Sequence, residues 1–441
     1  MNNLLFARIQ MGYSLAFHII FAVVGIAMPV LMAMSEIIWL RRGNEAAREL
    51  TKRWAKGTAI FFAVGAVSGT VLSFELGLLW PKFMEKTGPI VGIPFSLEGF
   101  AFFTEAIFLG VYLYGWDRIS KRAHLLAGIV IALSGAASAG FVMMVNAWMN
   151  CPGGIEFDPT SDTFTKVSIL QTMFSRTWLV QTAHMLVAAY AATGFAVAGV
   201  HALALLKGKA TEFHQLAFSI ALTLAIPMAL LQILVGDWTA KSVANTQPIK
   251  FAAMEGQFET ERRAPLRLGG IPDAQERKTR FAVEIPGLLS FLGYGDFNAQ
   301  VKGLNSFPPQ EQPPLLIPHL CFQLMVLIGM YMALASVWCL WTYWKKRTLI
   351  GSPRLLVTIV GAGPLGFLAL EAGWMVTEIG RQPWALSKIY KVSEVVTPMP
   401  GLAVPCAVFF LVYCFLALTV FIIMRRQFRE TTLTAGYDPC K

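Results

Sequence analysis

The stretch "EAGWMVTEIGRQPW", residues 371–384, follows the apolar run "LLVTIVGAGPLGFLAL" with no turn between them. Glu371 is therefore expected inside a hydrophobic helix. An ionisable group at a bilayer centre costs on the order of 2.5–3.5 kcal/mol, so a residue kept there asks for a function. Runs of the same kind recur on both sides of it, at roughly 13–39, 57–80, 95–116, 123–148, 177–206, 214–236, 315–343, 355–378 and 400–424. Each is long enough to cross a bilayer, which takes about 20 residues. The 441 residues are 56% hydrophobic and only 14% charged, too apolar for a solvated surface. The expected fold is an all-α integral membrane protein with about nine transmembrane helices. Helices one to six fall in 1–236, an extracytoplasmic loop in 237–314, and helices seven to nine with a tail in 315–441.

Basic residues set the expected orientation. The segments 40–56, 117–122, 207–213, 344–354 and 425–441 together hold 19 Lys and Arg, against 8 in 1–12, 81–94, 149–176 and 379–399. The positive-inside rule then puts the N-terminus outside and the C-terminus in the cytoplasm. The net charge of +10 is thus topology and a surface facing anionic lipid, not a nucleic-acid patch. The leading "MNNLLFARIQM" has no small-residue cleavage site behind it, which speaks against a cleaved signal peptide. Six cysteines (151, 321, 339, 406, 414 and 440) show no CxxC or CxxCH spacing, which argues against c-type haem, zinc or a disulfide scaffold. No internal repeat is visible. The long polar loop ends in the Pro-rich "SFPPQEQPPLLIP", and loops of this length are usually functional or disordered.

The residues that are costly in a membrane are His18, Glu75, Glu98, Glu105, His184 and Glu371, with Met325 as a soft ligand. His18 falls near the outer start of the first run, Glu98 opens the third, and His184 is about two turns into the fifth. Met325 is about three turns into the seventh, and Glu371 about two turns before the outer end of the eighth. Five potential metal ligands from five helices therefore converge on the outer half of the membrane. Taken singly, each has a plainer use. A membrane His often bonds a neighbouring helix, and Met is an ordinary core filler. Glu98 and Glu105 share one helix face roughly 10 Å apart; a proton path is their expected use, and Glu75 stays unassigned. A secondary transporter also gathers acids near the midplane. Here the ligand types sit toward one face and no paired half-helices mark an inverted repeat. A membrane haem protein fits better, because a His/Met pair fills both axial positions of an electron-transfer haem.

Several stretches then carry a resemblance. "EAGWMVTEIGRQPW", with Gly380-Arg381-Gln382-Pro383-Trp384 its most specific part, is similar to the signature of subunit I of cytochrome bd-type quinol oxidases. The likeness continues through "LAFHIIF" around His18, "PFSLEGFAFFTEAIFLGVYLYGWDR" at 94–118, "VNAWMNCPGG" at 145–154, "RTWLVQTAHMLVAAY" around His184 and "KFAAMEGQFET" at 250–260. These segments keep the family's order over nearly the whole chain.

The resemblance implies a terminal oxidase subunit of the bacterial cytoplasmic (inner) membrane, multi-pass, that oxidises ubiquinol or menaquinol outside and reduces O2 to water with cytoplasmic protons. It generates a proton motive force without pumping. The implied cofactors are two haem b plus one haem d or a third haem b. His184 and Met325 correspond to the axial pair of the low-spin haem b, Glu371 to the ligand of the high-spin haem b, and His18 to the ligand of the oxygen-reducing haem. Trp374 and Arg381 belong to the haem-binding signature. Glu98 stands beside the oxygen-reducing haem as ligand or proton donor, and Glu105, Ser138 and His124 match a proton route from the cytoplasm. The 237–314 loop corresponds to the quinol-binding loop, with Lys250 and Glu255 as its functional pair. The implied partners are a second membrane subunit and a single-span small subunit, with no nucleic acid.

Two positions depart from other members. Gln323 stands where some carry Arg two residues before the axial Met, which should lower the haem potential somewhat. Phe367 replaces a Trp. With the short loop, these features look like the cyanide-insensitive branch.

Overall fold

The computed structural model describes residues 3–434; Cys440 and the end of the basic tail lie outside them. Among the described residues, nine helices are long and apolar enough to cross a membrane. In chain order the helices are α1 (Asn3–Arg42), α2 (Glu45–Leu79), α3 (Pro81–Tyr114), α4 (Lys121–Asn150), the short α5 (Ile169–Met173), α6 (Trp178–Leu206), α7 (Glu212–Thr246), the short α8 (Pro248–Glu255) and α9 (Leu288–Tyr294), α10 (Leu316–Lys346), α11 (Pro353–Ile379), the short α12 (Val392–Val395) and α13 (Ala403–Thr434). Inside lipid only helices and closed barrels satisfy every backbone group, and unbroken apolar runs of about 20 residues suit the helix.

The helices start and stop where the sequence supplies caps. Asn44, Ser120 and Thr211 accept from the backbone N–H of Ala47, Ala123 and His214 at the starts of α2, α4 and α7. These side chains answer the orphan donors of a first turn. Short connections reverse the chain each time. The opposite face carries two hairpin-like insertions and a larger one. There, Tyr390 donates to Asp162, Ser387 N–H to Met149 O, Thr397 N–H to Leu79 O and Asn3 to Met399 O. We call this the loop face.

Several helices run past the apolar stretches: α1 starts at Asn3 rather than near 13, α2 at Glu45 rather than near 57, and α13 ends at Thr434 rather than near 424. α3 begins at Pro81 rather than near 95, so Glu98 lies in its middle instead of opening it. Pro at the first position and the amphipathic turns above the membrane extend the helix past the apolar run. α7 runs on to Thr246, so the expected loop at 237–314 begins as helix. The rest of that segment is compact: α8, then three nested two-stranded pairs, β3 (Glu261–Arg262) with β8 (Gln300–Val301), β4 (Leu266–Leu268) with β7 (Val283–Ile285) and β5 (Ile271–Asp273) with β6 (Lys278–Arg280). The earlier hairpin is β1 (Ile155–Asp158) with β2 (Thr163–Val167), and β9 (Trp384–Leu386) pairs β10 (Tyr390–Lys391).

Two apolar clusters hold the bundle. One joins α6, α7, α10 and α11 around Phe195, Phe218 and Ile359. The other joins α1, α2, α3, α4 and α7 around Met32, Leu50, Ile131 and Ala217. Between α6 and α11 the backbones come close enough that a Cβ on Gly366 would stand 2.8 Å from Ala192 Cα. Small residues allow that approach, which is how membrane helices gain contact without a hydrophobic drive.

Candidate functional site

A third, smaller cluster decides where the candidate ligands meet. Leu15, Ile19 and Val23 of α1, Ala188, Ala189 and Ala192 of α6, and Phe367, Leu370 and Trp374 of α11 pack together. His18, His184 and Glu371 each stand next to one of these residues or one helical turn away. The three helix segments singled out by sequence therefore share one core.

A neighbouring hydroxyl sets the tautomer of His18. Its Nδ1 is 3.0 Å from Ser68 Oγ on α2, and that hydroxyl is already aimed at Val64 O and Gly65 O, 2.9 and 3.1 Å away. With its one proton committed to a carbonyl, Ser68 accepts from His18. The imidazole proton is thus fixed on Nδ1 and Nε2 keeps its lone pair, the state a metal ligand needs. Gly69 leaves space for the ring, since a Cβ there would meet His18 Cε1 at 3.0 Å.

At His184 the Gln232 amide nitrogen from α7 lies 3.3 and 3.2 Å from the two ring nitrogens. Met325 Sδ rests on the bare backbone of Gly373, where a Cβ would come within 3.0 Å. Gly373 belongs to the opening stretch, two residues from Glu371. Among the described residues Glu371 Oε1, Gln181 Oε1 and Gln232 Oε1 are buried without a partner, and so are Arg381 Nε and Nη1. No group of three or more His, Cys, Asp or Glu able to hold a bare ion occurs among them. The donors come singly or in pairs, as suits a metal already held by a macrocycle. The two unanswered guanidinium N–H groups suit the carboxylates such a macrocycle carries. The residues present therefore fit haem.

On the α3 face toward α4, Ser138 Oγ donates to Glu98 Oε1 at 3.4 Å, and Glu105 packs on Gly135, where a Cβ would be 3.4 Å from Oε2. Further toward the face opposite the loops, His124 meets a residue that sequence reading passed over. Its Nδ1 is 2.8 Å from Glu36 Oε1 and its Nε2 is 2.9 Å from Tyr112 O. Both neighbours are acceptors, so both ring nitrogens are placed to donate. Tyr112 Oη donates to Glu36 Oε2 at 2.6 Å. Glu36 is fully buried inside the first apolar run, so the criterion that selected Glu105 would have selected it too.

At the loop face, Lys250 and Glu255 both lie on α8 and both are buried. They do not form a pair with each other. Five residues apart, they point to different surroundings. Lys250 Nζ donates to Asn150 Oδ1 at 2.5 Å, Asn150 Nδ2 donates to Asn146 O at 2.9 Å, and Asn146 Nδ2 donates to Glu378 Oε1 at 2.7 Å. Arg381 Nη2 closes the chain on Glu378 Oε2 at 2.5 Å. A polar network thus runs from α8 through α4 into "EAGWMVTEIGRQPW". Burial, reinforced by the Arg381 charge, lowers the Lys250 ammonium to about 7. Burial raises the Glu255 carboxyl to about 8, and Arg267 offsets it only in part. A solvated surface helix is excluded by this burial. α8 stops at Gly256 in the left-handed region (φ 65°), and Glu259 beyond it is exposed and accepts from Asn305.

Beside Asn150 opens a cavity of about 640 Å³ lined also by Cys151, Arg176, Asn245 and Lys388. The loop is pinned to α10 by His319, whose Nδ1 is 2.9 Å from Met254 O. Gln323 pins it too, donating to Arg267 O at 2.9 Å and accepting from Gly269 N–H at 3.2 Å. The amide that replaces a cation therefore serves the loop backbone.

Residues 6–432 match the family model for cytochrome bd terminal oxidase subunit I. The chain belongs to that family. It is 35% identical, over 98% of its own length and 97% of the relative, to a putative cytochrome bd menaquinol oxidase subunit I of Bacillus subtilis (strain 168). It is 31% identical, over 90% of its length and 87% of the relative, to a cytochrome bd ubiquinol oxidase subunit 1 of the same organism. The solved bd oxidase of Geobacillus thermodenitrificans superposes with a TM-score of 0.91 at 35% identity, covering 97% of this chain and 99% of that one. As a cytochrome bd subunit I, the protein is a multi-pass component of the bacterial inner membrane and of a quinol:oxygen oxidoreductase. Haem is its cofactor class, quinol and O2 are its substrates, and a subunit II is its partner.

Proposed function

We propose that this subunit holds three haems, through His184 with Met325, through Glu371 and through His18, and that quinol is oxidised at the loop face while protons for water come from the other. The observation that carries this reading is the shared α1–α6–α11 cluster, which puts the segments of His18, His184 and Glu371 in one core. Haem bound there supplies one-electron transfer and, where an axial position stays open, oxygen reduction. The third site takes haem d or a further haem b. Trp374 packs in the shared core, and Arg381 offers its two free N–H groups to a carboxylate. Pyridine haemochrome analysis of the purified complex tests this: three haems per copy of this chain are expected, and a preparation active with quinol but holding one haem would sink the assignment.

The basic segments favour a cytoplasmic C-terminus, which makes the loop face the outer one. His124, Glu36, Tyr112, Glu105, Ser138 and Glu98 follow one another from the cytoplasmic side toward the shared core. Each can hold or pass a proton, so quinol protons leave outside, water protons enter from inside and turnover charges the membrane without a pump. A single-span small subunit accompanies the two larger ones.

Quinol oxidation needs a base near the hydroxyls. Glu255, whose Oε2 is buried without a partner among the described residues, is that base, and Lys250 orients the other oxygen. A base raised to about 8 by burial is mostly protonated below that pH. Quinol kcat/KM should therefore climb roughly tenfold per pH unit up to about 8, and in Glu255→Gln this limb should vanish while all haem bands remain. An unchanged pH profile in the variant would move the base elsewhere. Equal loss with a donor that feeds the haems directly would indicate misfolding.

A further inference from the structure

Near the loop-face end of α1, the bundle contains a second polar group that neither the haem ligands nor the proton route uses. Gln10 Nε2 donates to Glu75 Oε1 at 2.8 Å across the α1–α2 contact. Around that bond, four atoms are buried without any partner among the described residues: Gln10 Oε1, Ser14 Oγ, Glu75 Oε2 and Tyr413 Oη. Gln10 is 2% exposed, Ser14 0%, Glu75 1% and Tyr413 5%. Ser14 stands within hydrogen-bonding reach of both the Glu75 carboxyl and the Tyr413 hydroxyl, but one hydroxyl cannot satisfy both of them, and Gln10 Oε1 has no partner at all. Leaving buried polar atoms unsatisfied is costly, and a cluster of them with one hydroxyl to share calls for a further partner. A buried water typically makes about three hydrogen bonds to such groups.

The position adds direction. Gln10, Ser14 and His18 stand at i, i+4 and i+8 on α1, one face of the helix, about 12 Å from first to last. On α2, Glu75 and Ser68 stand seven apart on the facing side, and Ser68 is the hydroxyl bound to His18 Nδ1. Tyr13 and Phe17 of α1 pack on the Tyr413 ring and wall off the lipid side, with ring centroids 5.9 and 4.6 Å away. At the other end, Arg8 and Ile9 are exposed just above Gln10. Polar side chains thus recur along one strip between α1 and α2, from near the loop face to His18.

We infer that Gln10, Ser14, Glu75 and Tyr413 hold a file of water molecules that carries product water from the His18 site to the loop face. The inference rests on the oxygen-reducing reading of His18. Water formed in an apolar membrane core must leave, and a chain of acceptors and hydroxyls lets it do so without stripping its hydrogen bonds.

Two measurements on the intact haem-loaded complex in lipid nanodiscs test the inference. Radiolytic hydroxyl-radical labelling in H2-18O reports bound water beside a buried ring. Tyr413 should be labelled with 18O despite its burial, and Ser14→Val, which removes the hydroxyl and fills its place, should cut that labelling several-fold. An unlabelled Tyr413 in the native complex means a dry cluster and overturns the inference. Quinol:O2 turnover of Ser14→Val should fall several-fold, with haem content and anaerobic haem reduction by quinol unchanged; undiminished turnover overturns the conduit. Glu75→Gln, which keeps shape and hydrogen bonding, should retain at least half of the turnover. Loss in that variant as deep as in Ser14→Val, with a larger solvent isotope effect, would mean that the strip moves protons, and it overturns water release. If the native complex binds haem but reduces no O2, the oxidase reading fails while the labelling result stands by itself.

Discussion

Replacing Met325 by Leu is expected to abolish the sharp low-spin haem b band and to lower quinol:O2 turnover on the order of 100-fold or more. Disturbing residues that merely orient a metal ligand already costs 10–100-fold, and this change deletes the proposed ligand itself. Leu keeps the length and apolarity of the side chain, so fold stability should change by less than about 1.5 kcal/mol. The backbone fit at Gly373 makes the test sharp. Met325 Sδ reaches α11 only because position 373 has no Cβ, and Leu can occupy the same gap without pushing the helices apart. High-spin signals, which the proposed reading assigns to Glu371 and His18, should be largely kept. Optical spectra of the reduced complex check this directly: an unchanged low-spin band would leave Met325 as a packing residue and the axial position to another donor. Gly373→Ala is the complementary variant. It should displace the sulfur and broaden the same band while leaving the thioether chemically present.

Much of this was legible in the sequence because lipid enforces simple rules. The nine crossings follow from apolar length alone, and an acid or imidazole inside such a run stands out at once. His18, His184 and Glu371 were found that way, and the structure puts their helices in one core. What escaped was of three physical kinds. Helix ends that project beyond the membrane carry polar residues, so the loop-face turns of α3 and the last turns of α7 read as loop although Pro81 starts the one and Thr246 ends the other. Pairings across long separations leave no local trace: Lys250 with Asn150 is a contact between residues 100 positions apart. Finally, Glu36 was visible as an intramembrane acid, but its meaning lay in His124 and Tyr112 on two other helices. Gln323 shows the reverse case. Its identity pointed toward the haem, yet both ends of its amide are taken by the loop backbone.

Proton supply gives the other large effect. Glu105→Gln should lower steady-state turnover roughly 100-fold or more, the size of a lost positioned acid–base group, while the haems stay bound. Glu105 sits where a proton passing between α3 and α4 must go. It is 6% exposed, on the α3 face toward α4, and a Cβ at Gly135 would be 3.4 Å from its Oε2. Ser138, which donates to Glu98, follows Gly135 by three residues on the same α4 face. Toward the other membrane face come Tyr112, His124 and Glu36, joined by bonds of 2.6–2.9 Å. Glu105 is the one ionisable side chain of the α3–α4 contact between that triad and Glu98. A glutamine there keeps the shape and can still hydrogen-bond, but it cannot take up and release a proton. The variant separates transport from structure. Haem spectra and anaerobic reduction by quinol should match the native complex, whereas O2 turnover and its acidification of the loop side should fall together. Lost haem would make Glu105 a support for cofactor insertion. Full oxidase activity with haems intact would route the protons past α3, and the Glu36–His124 pair would then need a different outlet.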